Sequence, residues 1–91
     1  MKVRITVEAT YGDGLKALPP DRKKAANRAI LKFAEEPGLP SLRFRPLRGQ
    51  PNFYIINPTK GDRIILRMDG PDLYAVVDVG PHDNVYRRWD R

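Results

Sequence analysis

DRIILRMDGPDLYAVVDVGPHDNVYRRW, Asp62 to Trp89, decides how the chain folds. Asp62 to Met68 alternates: Ile64, Leu66 and Met68 share one face, and Arg63, Ile65 and Arg67 share the other, the period of a strand. Asp69-Gly70-Pro71 turns the chain, and Leu73 to Val79 follows as a second strand, with Leu73, Ala75, Val77 and Val79 on one face. A connection this short joins antiparallel neighbours, because a parallel pair needs a crossover of a dozen residues or more. After Gly80-Pro81 the polar ending carries His82, Tyr86 and Trp89. If Asp83 to Trp89 is helical, His82 and Tyr86 project from nearly the same side, and Trp89 packs that turn onto the sheet.

Upstream the strand pattern continues. Phe53 to Asn57, FYIIN, is apolar on both sides, as a central strand is, and Asn57-Pro58-Thr59-Lys60-Gly61 is a turn cluster. Ser41 to Leu47, SLRFRPL, reads as a further strand with Arg43 and Arg45 on one face and Leu42 and Phe44 on the other. Before it, Pro19-Pro20-Asp21 is a helix start, since proline is tolerated in the first turn and an acid suits the dipole there. Ala26, Ala29, Ile30, Phe33 and Ala34 then recur at helical spacing opposite Lys23, Lys24, Asn27, Arg28 and Lys32, and Glu35-Glu36-Pro37-Gly38 ends the helix. Val3, Ile5 and Val7 form a first strand. YGDG, from Tyr11, reads as a break, leaving Leu15 to Leu18 a turn or two of helix. The predicted architecture is α+β: one domain, residues 1–91, with a small twisted antiparallel sheet, two N-terminal helices on one face, and the order β-α-α-β-β-β-β plus a short C-terminal helix.

The bulk numbers narrow the chemistry. A chain of 91 residues has a small core and no room for a cofactor domain beside a substrate domain. Cysteine is absent, which excludes disulfides, thiol nucleophiles and thiolate-bound zinc, and suits a reducing cytosol. With a single histidine the chain lacks the ligands of a transition-metal site, so no cofactor is expected. Lys2, Arg4 and Glu8 interrupt the N-terminal apolar residues, unlike a secretory signal, and no run approaches the ~20 residues of a bilayer span. A cytoplasmic protein without membrane contact is expected. Its net charge of +6 favours polyanionic partners, nucleic acid first.

Helices cover one sheet face, which leaves the other for the arginines of the meander, Arg43 with Arg45 and Arg63 with Arg67. A guanidinium grips a phosphate through parallel hydrogen bonds. Two readings stand for Arg63 and Arg67: a basic surface for a phosphate, or ion pairs with Asp62, Asp69 or Asp78. Two also stand for His82: a turn residue, or an exposed imidazole that exchanges protons near neutral pH.

The chain from Leu18 to Trp89 resembles the RelE/ParE superfamily of type II toxin–antitoxin toxins. The residues that carry the likeness are the helix closed by Pro37-Gly38, Leu47-Arg48-Gly49, the DRIIL strand, and the ending DVGPHDNVY. Within the RelE branch the resemblance implies a metal-independent endoribonuclease that cuts mRNA on the ribosome, inhibits translation and is held inactive by a cognate antitoxin in a hetero-complex. It implies Arg63, His82 and Tyr86 as catalytic residues. Arg63 would stabilise the phosphorane, His82 would act as general acid or base, and Tyr86 would stack on a base or share the proton transfer. Arg43, Arg45, Arg48, Arg67 and Arg87 would bind RNA. A phenol is a poor base unless a neighbouring cation lowers its pKa, and Arg63, Arg87 or Arg88 could supply that cation. The chain departs from the family in three places: FYIIN carries no lysine, Asp62 stands where a tyrosine is usual, and YGDG shortens the first helix. The alternative within the superfamily is a ParE-like inhibitor of DNA gyrase, without catalysis. His82 and the shortened helix argue for the RelE branch.

Overall fold

The computed structural model describes residues 2–89. Strand β1 (Arg4–Val7) leads into helix α1 (Ala9–Lys16) and helix α2 (Pro20–Glu35). Strands β2 (Arg45–Pro46), β3 (Phe53–Ile56), β4 (Asp62–Gly70) and β5 (Leu73–Pro81) follow, and helix α3 (His82–Trp89) closes the chain. The strands form one sheet in the order β1-β5-β4-β3-β2. β2 to β5 are an antiparallel meander, as the short turns predict. β1 is the exception and pairs parallel with β5, Arg4 opposite Leu73. The rest of the chain serves as its crossover, a pairing that turn lengths do not reveal.

Two layers sandwich the sheet. On one face α1 and α2 cover Ile56, Ile64, Leu66, Tyr74, Val76 and Val79. α2 starts with Pro20 in its first turn and Asp21 behind it, and buries Ala26, Ala29, Ile30 and Phe33. Alanines bring its backbone close to the sheet, while Phe33 meets Phe44 and Tyr74 with ring centroids 5.1 Å apart. The other face holds a smaller cluster: Leu47, Ile55, Ile65, Ala75 and Val77 beneath Val85 of α3.

Three local expectations fail for identifiable reasons. YGDG does not break α1 but lies inside it. Gly14 is there for proximity, since a Cβ would stand 2.3 Å from the Val79 carbonyl oxygen. Its helix cost is offset by the close approach of α1 to β5. Ser41 to Leu47 is not one strand. Pro40–Leu42 form a 3-10 turn, and Arg43 turns left-handed at φ 53°, so β2 keeps only Arg45 and Pro46. In β5, alternation is interrupted by a bulge: Ile65 pairs with Asp78 and Leu66 with Val76, leaving Val77 extra. Val79 therefore joins the helix-covered face while Ala75 and Val77 keep the other. The Thr10 hydroxyl donates to the Val77 carbonyl and ties α1 to the bulge. No helix among the described residues is long and apolar enough to cross a membrane.

Candidate active site

α3 begins where β5 ends, and its sequence fixes which side faces out. Val85 is fully buried against the sheet, and a Cβ at Gly80 would crowd the Arg88 guanidinium, 3.2 Å away, more than Val85. Trp89 packs on Phe53 with ring centroids 5.2 Å apart. Asp78, buried on β5, is the anchor. It accepts from Arg88 Nε at 2.8 Å and from Arg88 Nη2 at 3.1 Å, and from Trp89 Nε1 at 2.7 Å. Gln50 Nε2 adds a bond to the Trp89 carbonyl. A buried carboxylate needs such partners, because unpaired it would cost several kcal/mol, on the order of a lost buried ion pair.

With the sheet side of α3 pinned, His82 and Tyr86 stand one turn apart, His82 exposed and Tyr86 partly buried against the cluster beneath Val85. Their rings meet edge to face, centroids 4.4 Å apart at 81°. His82 is half exposed, and its Nδ1 lies 3.0 Å from Asp83 Oδ1. If Nδ1–H donates there, the neutral ring leaves Nε2 as an acceptor able to take a proton and, once charged, to return it. The backbone N–H of His82 donates to the Gly61 carbonyl at 2.8 Å, which fixes the start of α3 to the β3–β4 turn.

Tyr86 also walls a groove of about 340 Å³ together with Arg45, Pro46, Leu47, Arg48 and Ile55. The structure thus brings Arg45 and Arg48 to Tyr86. Arg45 stands beside Ile55 in register and donates from Nη1 to Asn57 Oδ1 at 3.1 Å and to the Arg43 carbonyl. Arg63 lies opposite Gly80 on β4, directly before the start of α3. Its Nη1 donates to the carbonyls of Lys60, at 2.9 Å, and Asp62, at 2.7 Å, while Nε is buried with no partner among the described residues. No carboxylate within ion-pair distance claims it among the described residues.

Other expected RNA contacts are placed elsewhere. Arg43 is an exposed left-handed residue outside the strand, so it does not share a sheet face with Arg45. Arg67 is taken: Nε and Nη2 grip both oxygens of Asp69 at 2.7 and 3.0 Å, and Nη1 reaches Glu8 at 3.5 Å. That is the ion-pair reading, with Asp69 as partner. Arg87 is exposed on α3, roughly opposite the buried Val85 by the 100° step of a helix. Arg88 is held by Asp78.

A second buried carboxylate, Asp62, was offered by the sequence as a partner for Arg63 or Arg67. It instead accepts both arms of Arg22 from α2, at 2.6 and 2.9 Å. The Arg22 guanidinium holds the Asp62 carboxyl below the usual range, outweighing the upward push of burial. The sequence signal for Asp62 and Asp78 was the same: a lone acid in an apolar strand, which needs a cation from somewhere. Among the described residues no three His, Asp or Glu side chains gather as a metal site.

No family model matches the chain, and no curated protein matches it in sequence. Solved structures do. The Escherichia coli DinJ–YafQ toxin–antitoxin complex contains a chain that superposes with TM-score 0.76 at 12% identity, over 94% of this chain and 99% of that one. Escherichia coli RelE, as a double arginine-to-alanine mutant in the free state, superposes with TM-score 0.70 at 20% identity, over 96% of this chain and 93% of that one. A YoeB/ParE toxin from Agrobacterium tumefaciens gives TM-score 0.70 at 15% identity, over 87% and 98%. At these identities the likeness is one of fold. The α+β fold of this chain is that of the RelE/ParE toxins, as the residue pattern implied.

Proposed function

We propose that the protein is the toxin of a toxin–antitoxin pair and an endoribonuclease that cuts mRNA on the ribosome. The observation that carries this reading is the contact of His82 with Tyr86 on α3, at a groove that Tyr86 walls with Arg45 and Arg48. A gyrase inhibitor without catalysis gives no reason to set an exposed imidazole against a phenol at the wall of this groove. The length of α1 does not separate the two branches, since it runs through YGDG.

In the proposed reaction the ribose 2′-oxygen attacks the adjacent phosphorus as its proton leaves. The bond to the 5′-oxygen then breaks and that oxygen takes a proton, giving a 2′,3′-cyclic phosphate and a 5′-hydroxyl. His82 Nε2 moves one of these protons, a role worth about 10²–10⁴-fold. Tyr86 either stacks on a base or carries the other. Arg63, fixed beforehand by two carbonyls, meets the charge of the phosphorane without reorganising, which typically lowers a barrier by about 3–4 kcal/mol. Arg45 and Arg48 hold the RNA backbone in the groove, and the ribosome positions the strand. The toxin role implies a cognate antitoxin, and a segment that folds over the basic groove would silence it.

The test is a translation reaction with purified ribosomes and a defined mRNA, its new 5′ ends mapped by primer extension. Cleavage that needs ribosomes, and that slows at least about tenfold with His82→Ala and with Tyr86→Phe, supports the reading. Intact mRNA at micromolar wild-type protein, in a chain that still kills cells on expression, overturns it in favour of gyrase.

A further inference from the structure

One turn, Asn57 to Asp62, holds three of the candidate groups in place. Its Gly61 carbonyl accepts the His82 N–H, its Lys60 and Asp62 carbonyls accept Arg63 Nη1, and its Asn57 Oδ1 accepts Arg45 Nη1. What holds the turn lies on the far side of the sheet. Asp62 is 1% exposed, and its carboxylate is gripped by both arms of Arg22 from the first turns of α2. Its backbone N–H donates to Thr59 Oγ1 at 3.2 Å, closing the turn on itself. Resting on the ribonuclease reading, we propose that Arg22 is a positioning residue: by clamping Asp62 from the helix layer it sets where Arg63 and His82 stand relative to the phosphate.

The physical case is one of leverage. Arg22 fixes Asp62 at both carboxylate oxygens, a bidentate geometry that a single-point cation cannot copy. The same residue's carbonyl then carries the Arg63 guanidinium, and its neighbour's carbonyl carries the first N–H of α3. A shift of the turn therefore moves the phosphorane's cation and the proton carrier together, and misplacement by about 1 Å can cost on the order of 10²-fold in rate. Where the RelE/ParE pattern usually has tyrosine, Asp62 is the residue that makes this clamp possible. Arg22 touches no RNA in this scheme.

Single-turnover cleavage by wild type, Arg22→Ala, Arg22→Lys and Ile30→Ala tests it, with circular dichroism choosing a temperature at which each is folded. Ile30 is buried in α2, eight residues or about 12 Å along the helix from Arg22, and controls for lost stability alone. Arg22→Ala should lower the rate at saturating ribosomal complex about tenfold or more while leaving the half-saturating concentration within about twofold. Arg22→Lys should recover part of the rate, and Ile30→Ala should cut like wild type. Amide hydrogen exchange at His82 should speed up in Arg22→Ala and not in Ile30→Ala. If Arg22→Ala does not fold, Asp62→Asn and Arg22→Lys make the same comparison. Arg22→Ala cutting within about twofold of wild type, with His82→Ala inactive, overturns the positioning role and leaves the ribonuclease intact. A wild type that cuts nothing overturns both.

Discussion

Arg63 and Arg67 leave the same strand on the same face, four residues and about 13 Å apart, and meet opposite fates. Arg67 is spent on two carboxylates, Asp69 and Glu8, which raise its pKa further above the usual guanidinium value. Among the described residues Arg63 is tied to carbonyls alone, beside the start of the helix that carries His82 and Tyr86. Two cations alike in sequence become a surface ion pair at one end of the strand and, at the other, a charge with no carboxylate in ion-pair contact among the described residues. Strand periodicity assigns a face. The acids that fold within reach decide what a cation on that face can do.

The contrast can be broken most severely at Asp78. Asp78→Ala removes the anchor of α3, leaving Arg88 and the Trp89 N–H without their acceptor. It should cost about 3 kcal/mol, near the low end for a broken buried pair because Arg88 is half exposed. Urea unfolding measures this. At temperatures where the variant is still folded, hydrogen exchange should show α3 opening while the β3–β4 pairing stays protected.

The two ends differ next in how they respond to acid. Asp62 and Asp69 are both held below the usual carboxylate range, Asp62 by Arg22 and Asp69 by Arg67. A depressed folded pKa adds stability above the unfolded value, and that stability is lost as pH falls through the folded one. Asp62 is buried and Asp69 is exposed, so Asp62 should carry the larger share. The urea midpoint of Asp62→Asn should lie below wild type at pH 7, and the gap should shrink steadily below about pH 4. For Asp69→Asn the gap should be small throughout. A gap for Asp62→Asn that widens in acid would contradict the assigned sign.

The smallest effect sharpens the contrast from the other side. Glu8→Gln combined with Asp69→Asn frees Arg67 and should turn it into one more nonspecific phosphate contact. The salt dependence of RNA binding should then steepen by about one unit of log–log slope. The cleavage rate should not change, because the freed charge stands at the wrong end of the face.

How much of this was legible in the sequence depended on the range of the interaction. The meander, the start and stop of α2 and the meeting of His82 with Tyr86 follow from spacings of two to four residues, and the structure shows them. YGDG misled because a glycine inside a helix looks like a break until one knows that Val79 lies against it. Arg43 misled because period-two alternation cannot foresee a left-handed residue after a proline turn. The bulge at Val77 shifted the phase of β5 for the same kind of reason, set by its neighbours and not by its own residues. Arg22 with Asp62 is separated by forty positions, and only the packing of α2 on the sheet brings that clamp together. Asp78 with Arg88 and Trp89 is closer in sequence, yet needs α3 to fold back over β5.

The most direct test compares the two arginines in one reaction. Arg63→Ala and Arg67→Ala would be assayed side by side for single-turnover cleavage of mRNA in programmed ribosomes, with both proteins verified as folded. Loss of about 10²–10³-fold for Arg63→Ala, as when one preorganised charge-stabilising group is removed, with a change below about threefold for Arg67→Ala, is the predicted result. Equal losses in the two variants, or a larger loss in Arg67→Ala, would contradict the assignment of the active end.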